Sequence, residues 1–428
     1  MNEREFEAAC ILKELGNGGI SRRQALKALL GAGATVALGQ QMIDRVLADE
    51  AGKQTGPGGL PLARPDKPVT LPLNEDPIKS GLEPETGGTF QLFNYAEYID
   101  TKLVNAFGEK YGVKMEISTF DDMDQAINRL ATQAVRPDVT NITTQRIAQA
   151  VAGKLTKPLN LDYIPNLKTN VWPSLQSPFY DTGSRYTVPY TVYGTGIGWR
   201  AEKISEDIAK LDNPWSIFWN SQKYKGYVGV LDDTRESLVM AMLYRGQYDV
   251  NTEDPAEIEK ALADLKALIP ICNPKVGHAV YESLAKGTSW LNHTWSGDLL
   301  NAYLAFLPEG DDGSTLRYWG DKGKSPIQND AWAICSTTSK PVLAHLWLNY
   351  LLDEEVAYKN FVEFNGYQPP QISITPDSLI ASKAIPENLR NTIYTSDDAG
   401  PGAITEGTLT VNGLALWQNA YARFISGG

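Results

Sequence analysis

Several acidic side chains stand where a carboxylate is either a helix cap or a binding group. Asp233 and Glu236 follow a short apolar run and can share one face of the helix that begins there. The same Asp-x-x-Glu spacing is typical of a capping box, and the two roles are compatible. Asp298, three residues after Trp295, stands at the start of another predicted helix and could equally stabilise its N-terminus. Each of these acids is therefore explained by a cap or by a site for positive charge.

Asp330 is the acid that structural roles explain least. It lies within the predicted strand 327–334, and the apolar residues that follow it indicate burial. A buried carboxylate is costly unless it is paired or hydrogen-bonded. This position therefore predicts either a buried ion pair or a site that takes a cationic group.

An organic molecule with two cationic ends sets a defined chemical requirement. Each ammonium group loses hydration on entering a cleft, so carboxylates must compensate. The methylene chain packs against apolar or aromatic walls, and aromatic faces also attract the charge. Aromatic residues stand between the acidic segments, so the sequence can supply both kinds of group.

Residue patterns of common enzymes and metal sites are missing from the sequence. It contains no P-loop, no nucleophile elbow and no paired-histidine or paired-cysteine metal spacing. The three histidines, His278, His293 and His345, are not spaced as ligands of one ion. We therefore expect no catalytic residue, no metal and no cofactor. A secreted enzyme that works with carboxylates is the alternative from another functional class.

Short apolar runs alternate with amphipathic segments through the body of the chain. Strands are predicted over residues 90–95, 114–120, 137–142, 186–199, 228–231, 289–295 and 327–334, and helices over 97–111, 122–134, 299–307 and 342–352. This alternation predicts an α/β fold with mostly parallel strands and helices on both faces. Ligands of such sheets bind at the carboxyl ends of the strands, which is where Asp233 and Asp298 lie.

The N-terminal residues 1–50 have the pattern of an export signal. Arg22 and Arg23 precede a Gly- and Ala-rich apolar stretch over residues 28–39, which is typical of a twin-arginine signal. That stretch is too short for a transmembrane helix, which needs ~20 apolar residues. No cysteine follows it closely, so a lipid anchor is not indicated. We expect a periplasmic or otherwise extracytoplasmic protein, with an uncleaved signal acting as a tether as the alternative.

Length and charge narrow the possibilities further. A chain of 428 residues is long enough for two packed lobes, because single cores stop growing near ~250–300 residues. The formal net charge of -12 disfavours nucleic acid and anionic lipid as partners. Residues 51–88 are rich in Gly, Pro and charged residues and predict a linker or an arm. Cys272 and Cys335 could pair in an oxidising compartment, and two buried thiols are the alternative we favour.

Five segments, in order, make the chain resemble the polyamine-binding branch of bacterial solute-binding proteins. They are an Asn-aromatic-x-Glu-Tyr turn at 94–98, a Pro-Tyr strand leading to a Gly-rich stretch at 189–198, the Asp-x-x-Glu turn at 233–236, a Trp-x-Gly-Asp turn at 295–298 and the strand that contains Asp330. The resemblance implies a type II periplasmic-binding-protein fold. In that fold, two α/β lobes with mixed sheets flanked by helices close about a hinge of crossover strands.

The resemblance also implies a function and a division of the chain. The protein would be the substrate-binding protein of an ABC importer, capturing putrescine or spermidine and delivering it to the membrane permease. Residues 89–192 with 330–372 would form one lobe, and residues 193–329 with 373–428 the other. We expect a monomer that binds no nucleic acid. A receptor for another small organic cation or polar solute is the alternative within this class.

Ten residues take ligand-binding roles through this resemblance. They are Tyr95, Tyr98, Thr143, Gln145, Asp233, Glu236, Trp295, Asp298, Asp330 and Tyr367. Packing against the sheet is the alternative role for Tyr95 and Tyr98, and a place in the core is the alternative for Trp295. Relatives place Trp or Phe just before the acid at position 330, whereas this chain has Gln328 and Asn329. Gln145 is a second departure, because relatives often carry an acidic or aromatic residue there. These departures leave the identity of the ligand open.

Overall fold

The computed structural model describes residues 55–427 except 279, 322 and 401. The predicted export signal, including Arg22 and Arg23, lies outside the described residues. Among the helices that are described, none combines the length and the apolar character needed to cross a membrane.

Nine strands within the described residues form one mixed sheet. They are β1 Thr89–Tyr95, β2 Lys114–Phe120, β3 Val139–Thr143, β4 Thr187–Arg200, β5 Val228–Leu231, β6 Lys275–Gly277, β7 Leu291–Trp295, β8 Leu316–Trp319 and β9 Ile327–Ile334. The sheet runs in the order β2-β1-β3-β9-β4-β7-β5-β6, and β8 pairs with β4 outside this path. Parallel pairs such as β1–β2 and β5–β7 occur beside antiparallel pairs such as β3–β9. The predicted mixed α/β class is therefore confirmed.

Strand β4 takes part in both halves of the sheet. Residues 187–194 pair with β9, whereas residues 195–200 pair with β7 and β8. On its other side β9 pairs with β3, which places Asp330 opposite both Thr143 and Thr191. The predicted Pro-Tyr strand and its Gly-rich continuation are thus one continuous strand that passes the position of Asp330.

Helices of the described residues follow many of these strands. They are α1 Thr101–Tyr111, α2 Met123–Ala131, α3 Ile147–Ala152, α4 Pro165–Thr169, α5 Thr234–Tyr244, α6 Pro255–Cys272, α7 Val280–Ala285, α8 Ser296–Asn301, α9 Pro341–Leu351, α10 Glu354–Asn360, α11 Pro376–Ala381 and α12 Val411–Ile425. Asp100, Asp122 and Asp233 begin α1, α2 and α5 by accepting hydrogen bonds from backbone N–H groups of the first turn. These acids satisfy donors that have no partner inside a helix.

Two predicted helices start three or more residues away from the predicted position. The helix predicted over 97–111 begins only at Thr101, because Glu97 has a left-handed backbone with φ of 52° and Asp100 forms the cap. The helix predicted over 299–307 begins three residues earlier, as α8, directly after β7 ends at Trp295. It then loosens into a π-helical turn over Ala302–Phe306. Both differences lie beside predicted site residues.

Separate apolar clusters pack against the two halves of the sheet. One contains Phe90 of β1 and Trp347 of α9, and the other contains Leu238 of α5 and Trp417 of α12. In the segment before β1, Leu62, Ala63, Val69 and Leu71 are buried, so part of the predicted arm packs on the protein. Cys272 and Cys335 are buried free thiols, which is the alternative we favoured over a disulfide.

Candidate functional site

Asp330 is buried where β9 lies between β3 and β4. It is 4% exposed, and its Oδ2 accepts a hydrogen bond from the Tyr98 hydroxyl at 2.9 Å. The Tyr193 hydroxyl donates to Oδ1 at 3.3 Å. Burial raises the pKa of the Asp330 carboxyl to about 6, against the effect of these two hydrogen bonds. Neither a lysine nor an arginine of the described residues is paired with it, so its charge is uncompensated.

Asp298 forms a second buried carboxylate, in the first turn of α8. Its Oδ1 accepts a hydrogen bond from the Tyr367 hydroxyl at 2.8 Å, and its Oδ2 has no partner. Burial raises the pKa of the Asp298 carboxyl to about 7. A Cβ added to Gly297 would lie 2.5 Å from the ring of Tyr367, so glycine is what allows this ring to approach. The Trp-Ser-Gly-Asp turn thus provides Asp298 and also the space for the Tyr367 ring that donates to it.

Glu236 is the third buried carboxylate and lies in the first turn of α5. Its Oε1 accepts hydrogen bonds from the Thr195 hydroxyl and from the Trp295 indole N–H, both at 2.8 Å. Its Oε2 has no partner. Burial raises the pKa of the Glu236 carboxyl well above its usual range, and repulsion from Glu406 and Asp233 raises it further. The charged form of Glu236 therefore needs a cation.

Aromatic side chains connect these three carboxylates. Tyr98 packs edge-on against Tyr95 at 5.8 Å and against Tyr367 at 5.2 Å between ring centroids. Tyr193 packs edge-on against Tyr367 at 5.6 Å and Trp295 at 6.3 Å. Burial and the nearby acids raise the pKa values of Tyr98, Tyr193 and Tyr367 well above their usual range. These hydroxyls therefore keep their protons and act as donors to the carboxylates.

The remaining predicted residues lie at the edge of this cluster. Thr143 pairs with Asp330 in the β3–β9 ladder. The side-chain amide of Gln145 donates to Glu406 Oε2 at 3.4 Å. Asp233 caps α5 by accepting from the N–H groups of Arg235 and Glu236. Its capping role is thus observed, while its carboxylate also raises the pKa of Glu236.

Three side chains of the cluster are absent from the predicted site. Tyr193 and Thr195 are predicted only as strand residues, although their alternation with Thr191 indicates one polar face along an otherwise apolar β4. Glu406 lies in a segment without periodicity before α12. It reaches the cluster because Ile404 forms a bridge with Pro326, just before β9. No local pattern signals that long-range pairing.

Gln328 and Asn329, which replace the aromatic residue of relatives beside Asp330, have structural roles. The Asn329 side-chain amide donates to the Tyr180 hydroxyl at 2.6 Å. Gln328 Oε1 accepts from the Glu406 backbone N–H at 3.3 Å. Neither residue supplies an aromatic wall, and the rings in contact with Asp330 are instead Tyr98 and Tyr193.

Other sites of the described residues are weaker candidates. A cavity of about 340 Å³ lies along β4 and β9, lined by Val192, Gln328 and Asn329 among others, and no acidic side chain lines it. The described residues contain no group of three or more His, Cys, Asp or Glu side chains placed to hold a metal ion. The cluster of carboxylates and aromatic rings is therefore the candidate site.

Residues 102–387 match the family model of the bacterial extracellular solute-binding proteins. The chain belongs to this family. The spermidine/putrescine-binding periplasmic protein of Salmonella typhimurium is 27% identical over 295 residues, covering 67% of this chain and 78% of the relative. The putrescine/agmatine-binding protein of Pseudomonas aeruginosa is 24% identical over 292 residues, which cover 65% of this chain and 78% of that relative.

Solved structures of solute-binding proteins share the fold. A crystal structure of the spermidine/putrescine ABC transporter substrate-binding protein PotD from Streptococcus pneumoniae superposes with a TM-score of 0.62 at 20% identity. The superposition covers 79% of this chain and 99% of the PotD chain. The predicted two-lobed periplasmic-binding-protein fold is therefore confirmed.

Proposed function

We propose that this solute-binding protein captures a polyamine, such as putrescine or spermidine, for an ABC importer. One observation carries the proposal: three buried carboxylates, Asp298, Asp330 and Glu236, surround aromatic rings and have no paired lysine or arginine among the described residues. Uncompensated buried carboxylates require a cation in their charged form. The similarity to a spermidine/putrescine-binding protein and to a putrescine/agmatine-binding protein supports this ligand class.

The side chains match the two parts of such a ligand. One ammonium group can donate to the free oxygen of Asp298 and the other to the free oxygen of Glu236. Hydrogen bonds between charged groups are the stronger ones. The methylene chain can pack against the rings of Tyr98, Tyr193 and Tyr367. Each aromatic face contributes about 0.5–2 kcal/mol when a cation lies over it. Anionic solutes would meet several like charges at this site and are disfavoured.

Delivery would follow from closure of the two lobes. In this proposal residues 193–329 with 373–428 bring Asp233, Glu236 and Asp298, and the other lobe brings Tyr95, Tyr98 and Tyr367. Asp330 lies near the hinge. Closure on the ligand creates the surface that the permease recognises, so ligand binding and delivery depend on the same conformational equilibrium. The ligand is released unchanged, without catalysis.

The site of action would be outside the cytoplasm, as for other members of this family. Export through the twin-arginine route would follow from Arg22 and Arg23, in residues 1–50. The net charge of -12 supports a protein that does not bind nucleic acid, and we expect it to act as a monomer. Cell fractionation tests the route: replacing both arginines by lysine keeps the charge and should retain the protein in the cytoplasm. Unchanged export would contradict the route.

Isothermal titration of the full chain with putrescine and spermidine tests the ligand class. We expect saturable one-to-one binding and recovery of the intact ligand by mass spectrometry. Asp330→Asn should weaken binding by roughly 30-fold or more, the effect typical of truncating a buried charge pair. Asp207→Asn, which removes an exposed acid paired with Lys210, is the matched control and should bind like the wild type. Absence of both heat and thermal stabilisation with either amine would rule out the polyamine proposal.

A further inference from the structure

The segment before α12 brings a fourth buried carboxylate to the site. Glu406 is 2% exposed and lies beyond residues 102–387, which match the family model. Its backbone N–H donates to Gln328 Oε1, and the N–H of Gly407 donates to Asn251 Oδ1 at 2.7 Å. The backbone on both sides of the Glu406 side chain is therefore held by hydrogen bonds.

Unpartnered polar atoms occur together in this region. Glu406 Oε2 accepts from Gln145 and lies 3.8 Å from Arg235 Nε, but Glu406 Oε1 has no partner. Glu236 Oε2 has none either. The amide nitrogen of Gln328, a side chain that is 3% exposed and touches the Glu406 backbone, is also unpaired. Buried polar atoms are nearly always paired, so this set indicates a polar guest.

The charge balance of the region favours a cationic guest. Asp233, Glu236 and Glu406 are three acids beside one guanidinium, that of Arg235. That guanidinium donates to the Val250 carbonyl at 2.9 Å, lies 4.5 Å from the centre of the Trp417 ring and lies 3.8 Å from Glu406 Oε2. It therefore compensates one of the three negative charges. Mutual repulsion of the two glutamates adds to the raised pKa of Glu236. One further positive charge would relieve this repulsion.

Glu236 is linked to Asp330 through the aromatic wall. The Trp295 indole N–H donates to Glu236, and the Trp295 ring packs against the Tyr193 ring with 6.3 Å between their centroids. The Tyr193 hydroxyl in turn donates to Asp330. A wall of two rings thus separates two acidic regions, as a ligand with charges at both ends requires.

We propose that Glu406 and Glu236 together bind one cationic group of the ligand, while Asp298 and Asp330 bind another. Glu406 is then a specificity-determining residue that favours dications over monocations. This inference rests on the proposed function and adds a residue from the C-terminal segment to it.

Titrations of the full chain with 1,4-diaminobutane and with 1-aminobutane at millimolar concentration test the inference. Glu406→Gln should weaken diamine binding roughly 30-fold and leave monoamine binding within about twofold of the wild type. Glu406→Asp, which keeps the charge, should recover part of the lost affinity. Glu253→Gln is the matched control, because Glu253 holds the same segment through Thr410 but does not touch the cluster.

The outcomes separate the inference from the function on which it rests. Diamine binding by Glu406→Gln equal to that of the wild type would overturn the role of Glu406 while leaving the polyamine receptor standing. An equal loss for both amines, or the same loss in Glu253→Gln, would assign Glu406 a structural role only and also overturn the inference. Failure of the wild type to bind either amine would overturn the proposed function and the inference together.

Discussion

Buried carboxylates in this site hold protons that exposed carboxylates would have lost. Burial raises the pKa of Asp298 to about 7 and that of Asp330 to about 6, and the carboxyl of Glu406 also reaches a pKa of about 7. A bound cation favours the charged form of each acid. At the scale of the residue, ligand binding and proton release are therefore expected to be coupled.

The ligand-free protein should lose stability through these acids as the pH rises from 5 to 8. The pKa of an unfolded aspartate is ~3.9, so the folded state holds more protons over this interval and is weakened as they leave. Between pH 5 and its folded pKa of about 7, Asp298 contributes at most about 3 kcal/mol to this loss, at ~1.4 kcal/mol per pH unit. Asp298→Asn stays neutral and should show a smaller decline, whereas Asp207→Asn should decline like the wild type. Thermal unfolding by circular dichroism at four pH values measures this, and identical pH profiles for Asp298→Asn and wild type would contradict it.

The acids Asp233, Glu236 and Asp298 lie where a helix begins directly after a strand. At the start of α5, Asp233 accepts from two backbone N–H groups, and Glu236 follows in the same turn. At the start of α8, Asp298 follows Trp295, the last residue of β7. The two strands β7 and β5 are neighbours in the sheet, so both helix starts lie at adjacent strand ends.

Asp233 allows the cap and the charge to be separated, because asparagine caps a helix as well as aspartate does. Asp233→Asn should keep the free energy of unfolding within about 0.5 kcal/mol, whereas Asp233→Ala should lose about 1 kcal/mol. Asp233→Asn should still bind the diamine more weakly, because one acid near Glu236 is lost. Urea unfolding and calorimetric titration of both variants measure these effects. Full diamine affinity in Asp233→Asn would limit Asp233 to its capping role.

Local patterns predict the elements of this fold better than their boundaries. Apolar runs predicted β2, β5 and β9 with the bounds that the structure shows. The start of α1 was misplaced because no local signal reveals the left-handed backbone of Glu97. The hydrogen bond from Tyr367 to Asp298 joins residues that are 69 positions apart. The family resemblance, and not their spacing in the sequence, placed these two residues in one predicted site. Glu406 had neither a local pattern nor a matching motif.

At the scale of the molecule, several contacts join segments that belong to different lobes in the proposed division. The Tyr367 hydroxyl donates to Asp298. The side-chain amide of Gln418 on α12 donates to Asp124 of α2 at 2.7 Å. Thr408 donates to the Gln145 carbonyl at 3.1 Å. If the lobes divide in this way, their opening would break such contacts, and a bound ligand would oppose that opening.

A crystal structure of the full chain with bound putrescine would show whether the buried carboxylates hold both ends of the ligand. We expect ammonium nitrogens at about 2.7–2.9 Å from carboxylate oxygens, one near Asp298 or Asp330 and the other near Glu236. We also expect the methylene chain to pack against Tyr98, Tyr193 and Tyr367. Putrescine bound away from these acids, for example in the cavity beside Asn329, would contradict the proposed binding site.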